Sequence, residues 1–236
     1  DGYTILATSS AFAVNVTLSP NAGYEPGDFA PIVQAATQPN VIVVNSTFPA
    51  KTLAELLEMA KTMKLAYASP GTGTTPHLTG EHIFKLVAKL DVTHIPHKGA
   101  GPAAAAVVAG EPPIGSLAVT APMPFLKSGR LRALAISSAT RSAQLPDVPT
   151  FVELGYPEIQ EYTWVGFFAP KGTPPEIVQK LNDAINRALQ MPDVREKLEA
   201  LTLEPVGGTP QQFSDYVRSE VVKWGLVVKQ TGARVD

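Results

Sequence analysis

Short β-branched runs alternate along the chain with stretches in which apolar residues recur every three or four positions. The runs at 3–7, 31–35 and 40–45 read as strands, bounded by Pro, Asn and Thr. Thr52 to Met63 reads as a helix, with Leu53, Leu56, Leu57 and Ala60 on one face and a capping box between Thr52 and Glu55. The pattern continues through strand 65–69, helix 76–90, strand 93–96, helix 102–109, strand 113–117, helix 120–128 and strand 131–137. Residues 138–162 carry Pro146, Pro149, Gly155 and Pro157 and read as loop. Beyond them "TWVGFFAP" reads as a strand that Pro170 ends. Helix 174–190 follows on Ile177, Leu181, Ala184, Ile185 and Ala188, and a last helix spans 210–230 on Phe213, Val217, Val221, Trp224 and Val228. This rhythm predicts an α/β fold of mainly parallel sheet with flanking helices.

Composition narrows the function more than the fold. A chain of 236 residues with 44% hydrophobic and 17% charged residues suits one globular domain or two small ones. The net charge of −2, with both signs mixed along the chain, argues against a nucleic-acid partner. Absence of cysteine removes disulfides, thiol catalysis and cysteine-based zinc sites, and suits an oxidising compartment. Apolar runs such as "NVIVVN" are too short to span a bilayer. The opening "DGYTILAT" lacks a methionine and reads as a cut end.

Candidate chemistry gathers at strand-to-helix junctions. In "YASPGTGTTPHLTG" Thr75 suits the N-cap, Pro76 the first helical position, and Gly71 and Gly73 a sharp turn. Leu78 stands where a capping box needs Glu or Gln, so the amides near His77 and Leu78 lack a carboxylate from their own helix. No lysine follows the glycines, so this is not a P-loop, and Pro76 breaks the dinucleotide pattern. A small carboxylate suits the turn better, with Thr72, Thr74 and Thr75 as added donors; an ordinary hydrated helix start explains it equally. "HIPHKGAGPAAAA" repeats the design, with Lys98 ahead of Gly99 and Gly101 and a helix expected from Pro102. "ATSSAFAVN" reads as a third polar turn, offering Ser9 and Ser10. Such turns converge at the carboxyl edge of parallel strands, where open α/β sheets hold ligands.

All four histidines fall between His77 and His97, with Glu81 among them, so a metal-dependent hydrolase is the alternative reading. The five-residue step in "HLTGEH" turns about 500° around a helix and separates the two rings, unlike the four-residue step of H-E-x-x-H. His82 and His94 suit surface or capping roles, whereas His77 and His97 sit in the two turns expected to line a cleft. No G-x-S-x-G elbow occurs, and acids such as Asp193, Glu196 and Glu199 read as solvated helix faces.

The phrases "PGTGTTPHLTGE", "HIPHKGAGPAAAAVVAGE", "LKSGRLRALAIS", "LPDVPTFVELGYP" and "VGFFAPKGTPPEIVQKLN" resemble, in order, the extracytoplasmic solute-binding proteins of tripartite tricarboxylate transporters, the Bug or TctC family. The resemblance implies a soluble periplasmic protein with a two-lobed, periplasmic binding protein type II-like fold. Such a protein closes on a small organic carboxylate, mono- or dicarboxylate, and presents it to membrane permease subunits. It implies no catalysis, cofactor or metal. Matched by motif, Thr72, Gly73, Thr74, Thr75 and His77, together with Lys98, Gly99 and Ala100, would contact the ligand from the second lobe. Ser9, Ser10 and Ala11 would contact it from the first. Trp164 would close the cleft or, equally, pack inside one lobe.

The implied lobes are 1–45 with 164–236, and 46–163. Family members carry two strand–turn–helix units before the phrase that starts this chain, so the resemblance implies an incomplete first lobe. It then implies either self-association, with a partner chain compensating, or an altered cleft. Leu117 stands where members often carry an acid, which favours a plain carboxylic acid over an amino acid as solute.

Overall fold

The computed structural model of the protein describes residues 3–19 and 21–234. In chain order its elements are β1 (Leu6–Ser9), α1 (Ala11–Leu18), β2 (Phe29–Asn45), α2 (Leu53–Ala60), β3 (Ala66–Ser69) and α3 (Thr75–Glu81). A π-helical stretch, His82–Val87, continues α3. Next come β4 (Thr93–Pro96), α4 (Ala100–Ala109), β5 (Ile114–Ala118), α5 (Met123–Lys127) and β6 (Leu131–Ile136). The chain ends through β7 (Tyr162–Pro170), α6 (Pro175–Gln190), α7 (Pro192–Ala200), β8 (Glu204–Gly207) and α8 (Pro210–Thr231). No described helix is long and apolar enough to cross a membrane.

The chain forms two compact units. One joins the residues up to Gln38 with Thr163–Val228, and the other is Pro39–Tyr162 with Lys229–Ala233. β2 belongs to both, changing unit between Gln38 and Pro39, so residues 39–45 lie in the second. The pattern suggested two strands separated near Pro39, yet β2 runs unbroken. It pairs with β8 through Thr37 and with β5 from Asn40, so Pro39, which has no N–H to donate, falls between two ladders.

In the second unit the strands run β6–β2–β5–β3–β4. β3 pairs in parallel with β4 and β5, whereas β2 is antiparallel to β5 and β6. The sheet is therefore mixed rather than mainly parallel, because β2 inserts between β5 and β6 in the opposite sense. Its two faces are both covered, which explains the unbroken apolar run Val41–Val44. Ile42 and Val44 pack with Leu53, Leu56, Tyr67, Phe84 and Phe151 on one side. Val41 and Val43 pack with Ala68, Ala103, Val107, Leu117 and Ile136 on the other. Leu117 is fully buried there. The capping box at α2 forms in a shifted version. Thr52 Oγ1 accepts the Glu55 amide at 3.1 Å, but the Glu55 carboxylate reaches back to the Lys51 amide at 2.6 Å.

In the first unit β7 is antiparallel to β1, with Thr8 opposite Gly166, and β2 is antiparallel to β8. Ile32, Val33 and Ala169 pack against Val178, Leu181 and Ile185 of α6. Phe168 joins Phe12 and Phe213 in an aromatic cluster with ring centroids 4.6 and 4.9 Å away. The segment expected as a polar turn after β1 is helical from Ala11, with Phe12, Ala13, Val14 and Leu18 buried.

Candidate functional site

β3 and β4 lie side by side in parallel, so the turns that follow them open at the same sheet edge. Backbone bonds hold the turns together: His97 N–H donates to Ser69 O at 3.0 Å, and Gly99 N–H to Pro70 O at 2.9 Å. A Cβ on Gly71, whose φ is +143°, would come within 3.2 Å of the His97 carbonyl oxygen, so the close approach requires glycine.

The first turn is braced by threonine and histidine. Thr74, not Thr75, is the N-cap of α3: its Oγ1 accepts the His77 amide at 3.4 Å and donates to Gly71 O at 2.8 Å. The cap falls one residue earlier because this places the hydroxyl three residues before a free amide, as the cap geometry demands. Thr75 and His77 are buried behind the turn. His77 Nδ1 accepts the Gly73 amide at 3.4 Å, which fixes the second glycine of the turn from inside.

Behind the turn lies a polar and aromatic stack. The His77 and His94 rings stack with centroids 4.0 Å apart, and Tyr67 packs on His94 at 5.1 Å. Burial, with the Lys85 ammonium as a lesser cause, pushes His77 down to about 4. Burial and the neighbouring His77 push His94 down to about 3. Both rings are therefore neutral near pH 7. His94 Nε2 lies 2.7 Å from Ser69 Oγ, a bond the serine hydroxyl can donate to the unprotonated nitrogen. Tyr67 donates its hydroxyl to Glu81 Oε1 at 2.7 Å, and Lys85 pairs with Glu81 Oε2 at 2.6 Å. Burial first, and then the Glu81 carboxylate beside it, hold the Tyr67 phenol well above its ordinary range. A Cβ on Gly80 would stand 2.4 Å from the Tyr67 ring. Gly80→Ala is accordingly expected to lower stability by about 2 kcal/mol, measured by urea unfolding, since the ring has no free volume to retreat into.

The histidine roles differ from those the sequence suggests. His94 is part of the stack, and His82 pairs with the buried Glu161 at 2.7 Å, so neither has a surface or capping role. Sequence spacing hides this, because Ser69–His94 and His82–Glu161 join residues far apart in the chain. Among the described residues no group of three or more His, Cys, Asp or Glu is placed to hold a metal ion. The His77 and His94 rings meet face to face, an arrangement that does not aim their nitrogens at one point.

The second turn is more open. α4 begins at Ala100, two residues before Pro102, with Gly99 as a cap that offers no side chain. Gly99 N–H is spent on Pro70, but among the described residues the Ala100 and Gly101 amides have no protein acceptor. They stand at the positive end of a ten-residue helix, and the exposed Lys98 adjoins them. In the first turn the Thr72 hydroxyl is likewise without a protein partner among the described residues. The donors left on the open side are thus Thr72, Lys98 and the amides of Ala100 and Gly101. Gly73, Thr74, Thr75, His77 and Gly99 shape the two turns through bonds of their own or from buried positions.

In the first unit Ser9, Ser10 and Ala11 adjoin Trp164: Ser9 lies opposite Val165, and Ser10 N–H donates to Trp164 O at 3.0 Å. Ser10 is the buried N-cap of α1 and makes no side-chain cap bond. Trp164 is fully buried, edge-on to Phe213 at 5.5 Å, with its indole N–H donated to Glu220 at 3.1 Å. Of its two expected roles it takes the packing one in this structure.

Comparison with known proteins adds the family. The family model described as tripartite tricarboxylate transporter family receptor matches residues 1–233. Protein BugT of Bordetella pertussis is 37% identical over all of this chain and 73% of its own length. Among solved structures, Rpa4515 of R. palustris with adipate superposes with a TM-score of 0.92 at 31% identity, covering 100% of this chain and 80% of the other. MatC (Rpa3494) from Rhodopseudomonas palustris with bound malate superposes with a TM-score of 0.88 at 32% identity, covering 97% and 80%.

Proposed function

The chain belongs to the tripartite tricarboxylate transporter receptor family, a family of solute-binding proteins, and on that premise we propose that it captures a small dicarboxylate at the paired turns following β3 and β4. The observation that carries this reading is the pair of unspent α4 amides, Ala100 and Gly101, beside Lys98 and the Thr72 hydroxyl. Backbone amides at a helix N-terminus with one lysine suit a carboxylate, which needs a few directed donors and a local positive field. Two structural relatives carry adipate and malate, acids with a carboxylate at each end. The second carboxylate would be met by Ser9, Ser10 and Ala11, the α1 N-terminus of the other unit, when the two units close on the solute. Binding without a chemical step, in the periplasm and ahead of a membrane permease, completes the reading.

A thermal-shift panel of mono-, di- and tricarboxylates with and without chelator tests it. A dicarboxylate at 100 times its dissociation constant is expected to stabilise the protein by about 2.7 kcal/mol, unaffected by chelator. Lys98→Glu should weaken the same acid at least about tenfold by calorimetry, roughly 1.4 kcal/mol. A cooperative melt that no acid shifts, or one that only a metal ion shifts, would end this reading.

A further inference from the structure

The chain passes between its two units at Gln38–Pro39 within β2, at Tyr162–Thr163 on entry to β7, and again at Val228–Lys229 and Ala233–Arg234 around the end of α8. Within two residues of the first two of these passages lies a buried set of hydrogen bonds. Asn40 N–H donates to Ser137 Oγ at 2.8 Å, and Ser137 N–H returns to Asn40 O at 2.9 Å. Glu161 N–H donates to Ser137 O at 3.1 Å, while the Ser137 hydroxyl donates to Glu161 O. One serine, just beyond β6, thus clamps the passages of β2 and β7.

The Asn40 side chain extends the set toward the candidate site. Its Nδ2 donates to Thr79 Oγ1 at 2.8 Å, and Thr79 Oγ1 donates to Thr75 O at 3.0 Å, in the first turn of α3. Asn40, Thr79 and Ser137 are fully buried, and Thr75 and Glu161 are 1% exposed. Water has no access to replace any of these bonds, so a shift at one end must be followed along the set or leave a buried polar group unpaired. The sequence itself marks the position: four aliphatic residues, Val41–Val44, follow an asparagine that packing alone would not call for.

We propose that Asn40 is a positioning residue that couples occupation of the turns after β3 and β4 to the chain passages at Gln38–Pro39 and Tyr162–Thr163. Movement of the first turn of α3 is carried by Thr79 to Asn40 and by Ser137 to Glu161, so a bound acid biases the setting of the units. This rests on the carboxylate-binding reading above.

The chain has no cysteine, so spin labels can be placed at Glu58→Cys and Glu196→Cys, exposed positions in different units. The inter-label distance is then measured by pulsed electron resonance without and with adipate or malate. Thr79→Val keeps the side-chain shape but removes the hydroxyl. It is expected to lose at least about half of the ligand-induced shift and to weaken affinity about tenfold, a usual size for coupling between sites. Thr79→Ser should restore both, which a purely structural role for the methyl would not explain. Ser137→Ala cuts the other end and serves the same test should Thr79→Val fail to fold. A full ligand-induced shift in both Thr79→Val and Ser137→Ala overturns the relay while leaving the binding reading intact. A parent protein that binds no acid of the panel removes that reading, and the relay with it.

Discussion

Unfolding near pH 5 is expected to bind about two protons, one each at His77 and His94, and stability should therefore fall steeply below neutral pH. Both groups have folded values under the ordinary histidine value, about 4 for His77 and about 3 for His94. In the unfolded chain they protonate near 6.5, so below that pH the unfolded state binds more protons than the native one. The stabilisation is complete above about pH 7, is lost as pH falls through 6.5, and levels off near 4 for His77 and near 3 for His94. His77 alone accounts for roughly 3 kcal/mol between pH 7 and pH 4. His94 is half-buried, and solvent screening trims its share, so the combined slope at pH 5 is about 2 kcal/mol per pH unit. Urea unfolding at pH 7, 6, 5 and 4 measures this, and His94→Phe, which keeps a ring in the stack, should flatten the slope by close to half. A parent whose stability is level from pH 7 to 5 would refute the neutral pair. The candidate site should follow the same curve. A protonated His77 Nδ1 can no longer accept the Gly73 amide, so the first turn loses its inner brace.

The histidine stack also shows what the chain's pattern could and could not disclose. The junctions after β3 and β4 were legible because Gly71, Gly73, Gly99 and the prolines punctuate them, and each punctuation has a local backbone cause. Their fine structure was not: the first cap moved to Thr74, whose hydroxyl meets the orphan His77 amide, and the second to Gly99, which offers no side chain. α1 went unread because the serine pair before it resembles a turn and its apolar residues are spread around the helix, which leaves no stripe to detect. β8, four mostly exposed residues, shows no alternation of buried and exposed positions. Strand direction is set by which elements meet in space, so the antiparallel place of β2 had no local signal. The same holds for Asn40 with Thr79 and for His82 with Glu161, pairs separated by 39 and 79 residues. The family phrases nevertheless pointed to the right fold and class of function, because they are built from the turn residues themselves.

Glu220→Leu is expected to destabilise the first unit by about 3–5 kcal/mol, the sum of two indole donors left buried without an acceptor. Glu220 Oε2 accepts Trp164 Nε1–H at 3.1 Å and Trp224 Nε1–H at 2.9 Å, and its Oε1 pairs with Lys223. Both tryptophans are fully buried and Glu220 is 3% exposed, so no water can stand in for the carboxylate. Trp164 lies on β7 one residue past the point where the chain enters this unit, and its carbonyl holds the Ser10 amide. The carboxylate of α8 therefore fixes, through one indole, both the entry of β7 and the start of α1. Glu220→Gln keeps an oxygen for the two indoles and forfeits the ion pair with the half-exposed Lys223, a change worth about 1 kcal/mol. Urea unfolding followed by tryptophan fluorescence separates the two variants. Equal losses for Leu and Gln would mean that charge, not the acceptor, is what the two indoles require. A Leu variant as stable as the parent would mean that α8 packs on Trp164 through its apolar residues alone. If the acceptor is what matters, the Leu variant should also weaken any dicarboxylate that the α1 N-terminus helps to hold, and the Gln variant should not.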